Sequence, residues 1–207
     1  MTLIHELRYS FHVIFRPIDG FWDLKHEKRG SLKAALIILA AAMFTFILAE
    51  RYTGFLFNPV NLLYVNIFRE LATFLSIYIL FVVSNWCLTT LMDGKGTMAD
   101  IAIATAYALV PFVLLTIPMV ILSNYITLQE SAFYFMFLTI GYIWTFGLIF
   151  LGTMVTHEYT VSKTFVTLIC VVLGMMIMVF LGLLFFSVIQ RIIGLVYVLY
   201  KEITFRM

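Results

Sequence analysis

The sequence predicts an all-α integral membrane protein, a five-span helical bundle with an amino-terminal interfacial amphipathic helix. Three observations carry that expectation. Apolar residues make up 63% and charged residues 12% of 207 positions, with a mean hydropathy of +1.06. No soluble fold hides so much apolar surface, which excludes a disordered chain, a nucleic-acid-binding protein and an ordinary soluble enzyme. Five runs carry no charge at all: Ala34–Ala49, Leu71–Met92, Ile101–Gln129, Ser131–Thr156 and Thr164–Gln190. Ten of the 24 charged residues, by contrast, fall between Met1 and Lys33.

The elements follow in order. In the arm, Leu3, Ile4, Leu7, Phe11, Ile14 and Phe15 share one helical arc of about 120° at 100° per residue, opposite His5, Glu6, Arg8, Tyr9, His12 and Arg16. Such a segment reads as a helix on the membrane surface that Pro17 ends, with Leu3, Leu7 and Phe11 inserting and Arg8 and Arg16 meeting lipid phosphates. Ile18 to Leu24 then reads as a turn carrying the interfacial aromatics Phe21 and Trp22, ahead of the basic Lys25–Arg29 cluster. Residues 1–33 form the arm and basic segment, 34–191 the five-span domain, and 192–207 an interfacial or helical tail beyond Arg191. The first run is short and recruits its flanks, from about Leu32 to Arg51, to cross a core of about 30 Å.

Lys and Arg set the orientation. Eight fall on the side of the amino terminus, counting Lys95 and Lys163, and five on the other. This predicts a cytoplasmic amino terminus, in a protein expected at the plasma membrane. At the outer ends of the first two spans, Glu50-Arg51 and Arg69-Glu70 are charge-complementary, so these helices are expected to be antiparallel neighbours; headgroup anchoring of all four charges is the competing reading.

Chemical motifs are weak. Asp93-Gly94-Lys95-Gly96-Thr97 lacks the spacing of a phosphate loop and reads as a tight turn whose glycines supply positive φ. His157-Glu158 starts a zinc-protease pattern that Val161 breaks, and Cys87 and Cys170 lie in apolar runs without a partner. The runs hold no ionisable Asp, Glu, His, Lys or Arg to activate a serine or relay a proton. Catalytic residues, cofactors and metals are therefore expected to be absent. Asn85 is the polar exception and suits an interhelical hydrogen bond. In the third run, Ala102/Ala106 and Ala104/Ala108 are small-residue pairs that permit close helix approach. Tyr107, Pro111, Leu114 and Pro118 follow on one face, and the prolines predict a bent helix serving packing, a hinge or a groove.

Asp19-Gly20-Phe21-Trp22, five spans, Asp93-Gly94-Lys95-Gly96-Thr97 and Ala106-Tyr107-Ala108-Leu109-Val110-Pro111, in that order, resemble the Yip-one (Ypt-interacting protein) domain family, in particular its bacterial members. The resemblance implies five spans and a cytoplasmic amino terminus. Eukaryotic members are associated with Rab-type GTPases through an Asp-Leu-Tyr-Gly-Pro-type motif. Asp19-Gly20-Phe21-Trp22 departs from it, which speaks against GTPase binding. The resulting expectation is a non-enzymatic scaffold or adaptor whose partners are the lipid bilayer and other membrane proteins. The alternative is a transport-related subunit, in a transporter complex, that handles a neutral or lipidic solute beside the kinked third span.

Overall fold

The structure is a computed structural model that describes residues 3–58 and 66–206. Among them every regular element is helical. The first two are α1 (Leu3–Phe15) and α2 (Pro17–His26). Five helical segments long and apolar enough to cross a membrane follow: α3 (Leu32–Tyr52), α4 (Ile67–Leu91), the pair α5 (Met98–Ala108) and α6 (Val110–Leu122), α7 (Ser131–His157) after a 3-10 turn at Leu128–Glu130, and α8 (Val161–Arg206). The chain is thus a multi-span membrane protein.

Local chemistry starts the helices where they start. The Ser31 hydroxyl accepts from the Ala34 amide, the Asn66 side chain from Phe68 and Arg69, and Thr97 with Asp100 forms a reciprocal capping box. Spans end at polar or turn-forming residues, since backbone groups inside hydrocarbon must pair within their own helix.

The third span is the hub: it packs on α3, α4 and α7, with 56% of its most apolar stretch buried, against 6% for α8, which leans chiefly on α4. Small residues make this possible, as Ala104, Ala106 and Ala108 are all buried. The expected bend is a break at Leu109, which closes α5 and opens α6, with Pro111 in the first turn of the new helix, where its missing N–H costs nothing. The break rotates the faces. Tyr107 and Pro111 are buried, whereas Leu114 and Pro118 are exposed, so the single four-residue face expected from spacing does not exist.

Two further expectations are corrected in the arm. Ile18 to Leu24 is not a turn but the body of α2; α1 does end ahead of Pro17, at Phe15, and Pro17 also supplies the first position of α2. Gly20 is needed there because α1 crosses so closely that a Cβ would sit 2.8 Å from the Cα of Val13. The arm also does not lie free on a surface. Tyr9, Val13, Ile14, Phe21 and Leu24 join Ala34, Ala104, Tyr107 and Leu148 in the main core cluster, while Leu3, Ile4, Phe11, Phe15 and Trp22 stay exposed, as do Arg8 and Arg16.

The tail is the helical extension of α8, without a separate interfacial piece. α3 and α4 are neighbours, with Phe46 and Phe74 rings 5.4 Å apart; Arg69 bonds its own neighbour Glu70 at 3.0 Å. The connecting segment 52–68, apolar enough by sequence to lie on the bilayer surface, falls in part outside the described residues.

Candidate functional site

The densest polar chemistry lies where the arm, the α4–α5 loop and the α7–α8 loop meet. Glu158 caps α7 in the left-handed region at φ 56°, which turns its carboxylate back over the helix end. There Oε1 accepts from Lys25 Nζ at 2.9 Å and Oε2 from Lys95 Nζ at 2.6 Å, with His26 Nε2 3.7 Å from Oε1. The hydrogen bonds from Lys25 and Lys95 hold the Glu158 carboxyl well below the usual range, at about 2. A carboxylate beside a helix carboxyl end opposes the macrodipole, and two ammonium groups outweigh it.

The neighbouring residues close the cap. Tyr159 donates to the Met92 carbonyl at 2.9 Å, and Lys163 donates to the same oxygen at 2.7 Å. Gly94 and Gly96 are required by contact and not by φ, since no glycine among the described residues has positive φ and Asp93 takes it instead. A Cβ on Gly94 would meet His157 Nδ1 at 2.6 Å and the Tyr159 hydroxyl at 2.8 Å; one on Gly96 would meet Thr156 Cγ2 at 2.7 Å.

The arm is fastened to this cap and to the hub. Tyr107 donates to the Glu6 carbonyl at 3.1 Å and Ser31 to the Glu6 carboxylate, while within the arm Tyr9 of α1 donates to Asp23 Oδ2 of α2 at 2.7 Å. Burial and the Asp23 carboxylate both push the Tyr9 hydroxyl far above its ordinary pKa, so it stays a donor. Phe21 seats its ring on Gly152 of α7, where a Cβ would come within 3.1 Å.

Beneath the cap lies a cavity lined by Asn85, Ile101, Ala104, Thr105, Ile149, Gly152, Thr153, Thr156 and His157. It leaves about 10 Å³ for the centre of a water-sized sphere, the room of about one water molecule. The interhelical bond expected of Asn85 is not made by its amide oxygen, which is buried and unpartnered. Deeper along the spans, an apolar groove of about 380 Å³ opens between α4, α5, α7 and α8, and shares Thr105 and Ile149 with the cavity.

Of the residues singled out by sequence, the structure brings Tyr107 to the arm and Asn85 to the cavity. Ala102 accepts from the Tyr78 hydroxyl at 2.7 Å and Ala106 is packed in the hub. Pro118 is remote from both, and the groove runs beside Leu109 instead of Tyr107. Sequence reasoning met Lys25, Lys95, His157 and Glu158 in separate motifs without joining them, and passed over Tyr159. Their signal was Glu158, the single acid of the second loop on the arm side, on a face that also carries eight lysines and arginines. Among the described residues no His, Cys, Asp and Glu cluster could hold a metal.

Five apolar helical segments, a broken third span and an arm folded onto the loops define a multi-span helical membrane protein with a docked amphipathic arm. The chain belongs to the Yip1 domain family, whose model matches residues 11–184, from the middle of α1 to the middle of α8. No curated protein and no solved structure matched the chain.

Proposed function

We propose that the chain is a non-enzymatic scaffold or adaptor of the plasma membrane, with its arm in the cytoplasm, that organises membrane partners or lipids. One observation carries this reading: the arm is held to the bundle on one side by Tyr107, Ser31 and Phe21, and presents Ile4, Phe11, Phe15, Ile18 and Trp22 outward on the other. A rigidly mounted apolar edge beside basic residues suits a surface that must be offered in one orientation to anionic lipid or to a neighbouring protein. GTPase recognition has little support, since Asp19-Gly20-Phe21-Trp22 is built into α2 and Phe21 is spent on the core.

A photo-crosslinking residue at Phe15 tests this in native membranes. Adducts to protein or lipid that fall several-fold when Phe21→Ala unseats the arm are the expected result. Adduct yield indifferent to the arm's attachment overturns the reading.

The transport-related alternative draws on the groove beside Leu109. Its prediction is solute flux through liposomes holding the purified protein, reduced by Leu109→Trp. The lining hydroxyls of Tyr78 and Thr105 already donate to Ala102 and Ile101, so the groove offers a polar solute little, and the scaffold reading is preferred.

A further inference from the structure

Two completely buried side chains leave one hydrogen-bonding atom each without a partner in the same cavity. Asn85 and His157 are both 1% exposed, both line the space beneath the cap, and Asn85 Oδ1 and His157 Nε2 are unpaired. Buried polar atoms are almost always satisfied, so a coincident pair calls for a physical explanation.

The two atoms are complementary in kind. The Gly96 amide donates to His157 Nδ1 at 3.4 Å, so that nitrogen presents its lone pair and the neutral ring carries its proton on Nε2. Nε2–H needs an acceptor, and Asn85 Oδ1 needs a donor. Of the three threonines that line the cavity, Thr105 and Thr153 have given their protons to the carbonyls of Ile101 at 2.7 Å and Ile149 at 2.8 Å, and Thr156 makes no hydrogen bond to Asn85 Oδ1.

We propose that the cavity is a binding site for one hydroxyl oxygen, which accepts from His157 Nε2–H and donates to Asn85 Oδ1. A carboxylate or phosphate exceeds the room of about one water molecule and brings only acceptors to the Asn85 oxygen. A metal cation would face the Nε2 proton. A hydroxyl alone has both functions at that size.

Its source is either a water molecule or the end of a long-chain alcohol whose tail occupies the apolar groove across Thr105 and Ile149. The site goes beyond the scaffold reading and does not depend on it.

The test uses the full chain, labelled with nitrogen-15 histidine, in nanodiscs of phosphatidylcholine and phosphatidylglycerol. The expected spectrum shows a His157 Nε2-bound proton, assigned by its loss in His157→Gln, with a cross-peak to water. Titration with 1-dodecanol separates the sources: replacement by a cross-peak to the alcohol, abolished by Leu109→Trp, supports the lipid, and an unchanged water cross-peak supports water. A proton on Nδ1, or an Nε2 proton that contacts neither water nor alcohol, overturns the site. Thermal unfolding supplies a second reading that tolerates destabilised variants. Asn85→Leu and His157→Phe should each lower the midpoint, and the double variant should fall by clearly less than the sum; strict additivity also overturns the proposal.

Discussion

The arm was expected at the membrane surface and the tail either there or as a helical extension, and the two ends behave differently. The arm has a mixed face, in which Tyr9 and Ser10 bury beside Val13 and Ile14, and it is folded into the core. The end of α8 is apolar between Arg191 and Lys201, and Ile193, Leu195 and Tyr197 are each more than 60% exposed. A segment docks when it carries groups that only one neighbour can satisfy, as the Glu6 carbonyl does with Tyr107 and Phe21 with Gly152. Uniform apolarity fits lipid on every side and selects no neighbour.

The contrast breaks most readily at Phe21. Phe21→Ala removes a fully buried ring between α2 and α7, and should cost about 3–5 kcal/mol if the arm folds as part of the core. A lowered unfolding midpoint in detergent, together with faster hydrogen exchange over residues 3–26, checks this.

Acid should release the arm next. Glu158 is depressed from its ordinary 4.5 to about 2, so its contribution is fully present above 4.5 and is lost as pH falls through about 2. A spin-label distance between Lys28 and Thr160 should lengthen over that window. In Glu158→Gln it should be long already at neutral pH and flat with acid.

A smaller loss is expected for Tyr107→Phe, which keeps the ring and deletes one hydrogen bond to the Glu6 carbonyl, at about 1 kcal/mol. Calorimetry on the purified chain reads it, and the variant sharpens the comparison because only the arm should gain exchange. Least of all should follow from Leu195→Ala, within about 0.5 kcal/mol, since nothing in the fold rests on that side chain. A larger midpoint shift there would show that the tail is not the free counterpart of the arm.

The spans were legible because hydrocarbon tolerates almost no charge, so charge-free runs mark where they start within about four residues, though not where the third and fifth end. The break at Leu109 followed from Pro111 by the same local logic. What sequence spacing did not convey was tertiary. Gly20 looks like a turn residue, and only the proximity of Val13 explains its place inside a helix. Gly94 and Gly96 resemble residues chosen for φ, but their neighbours His157 and Tyr159 lie more than 60 positions away. Glu158 looked like half of a failed metal motif, because the lysines that define its role come from two other segments.

The length of α8 has a mechanical consequence. Its 46 residues run about 69 Å, more than twice the hydrocarbon thickness, and side-chain contacts hold only the first part of it. The helix is a cantilever. Its last 22 residues, beyond the family match, form a free beam of about 33 Å, so a rotation of about 10° at the root swings the tip by about 6 Å. The root is the crossing on α4, where Ser84 donates to the Val171 carbonyl at 2.8 Å and Gly174 leaves no space for a Cβ beside the Ser84 hydroxyl. Any load on the beam becomes torque at that crossing, whose Ser84 directly precedes Asn85 on α4.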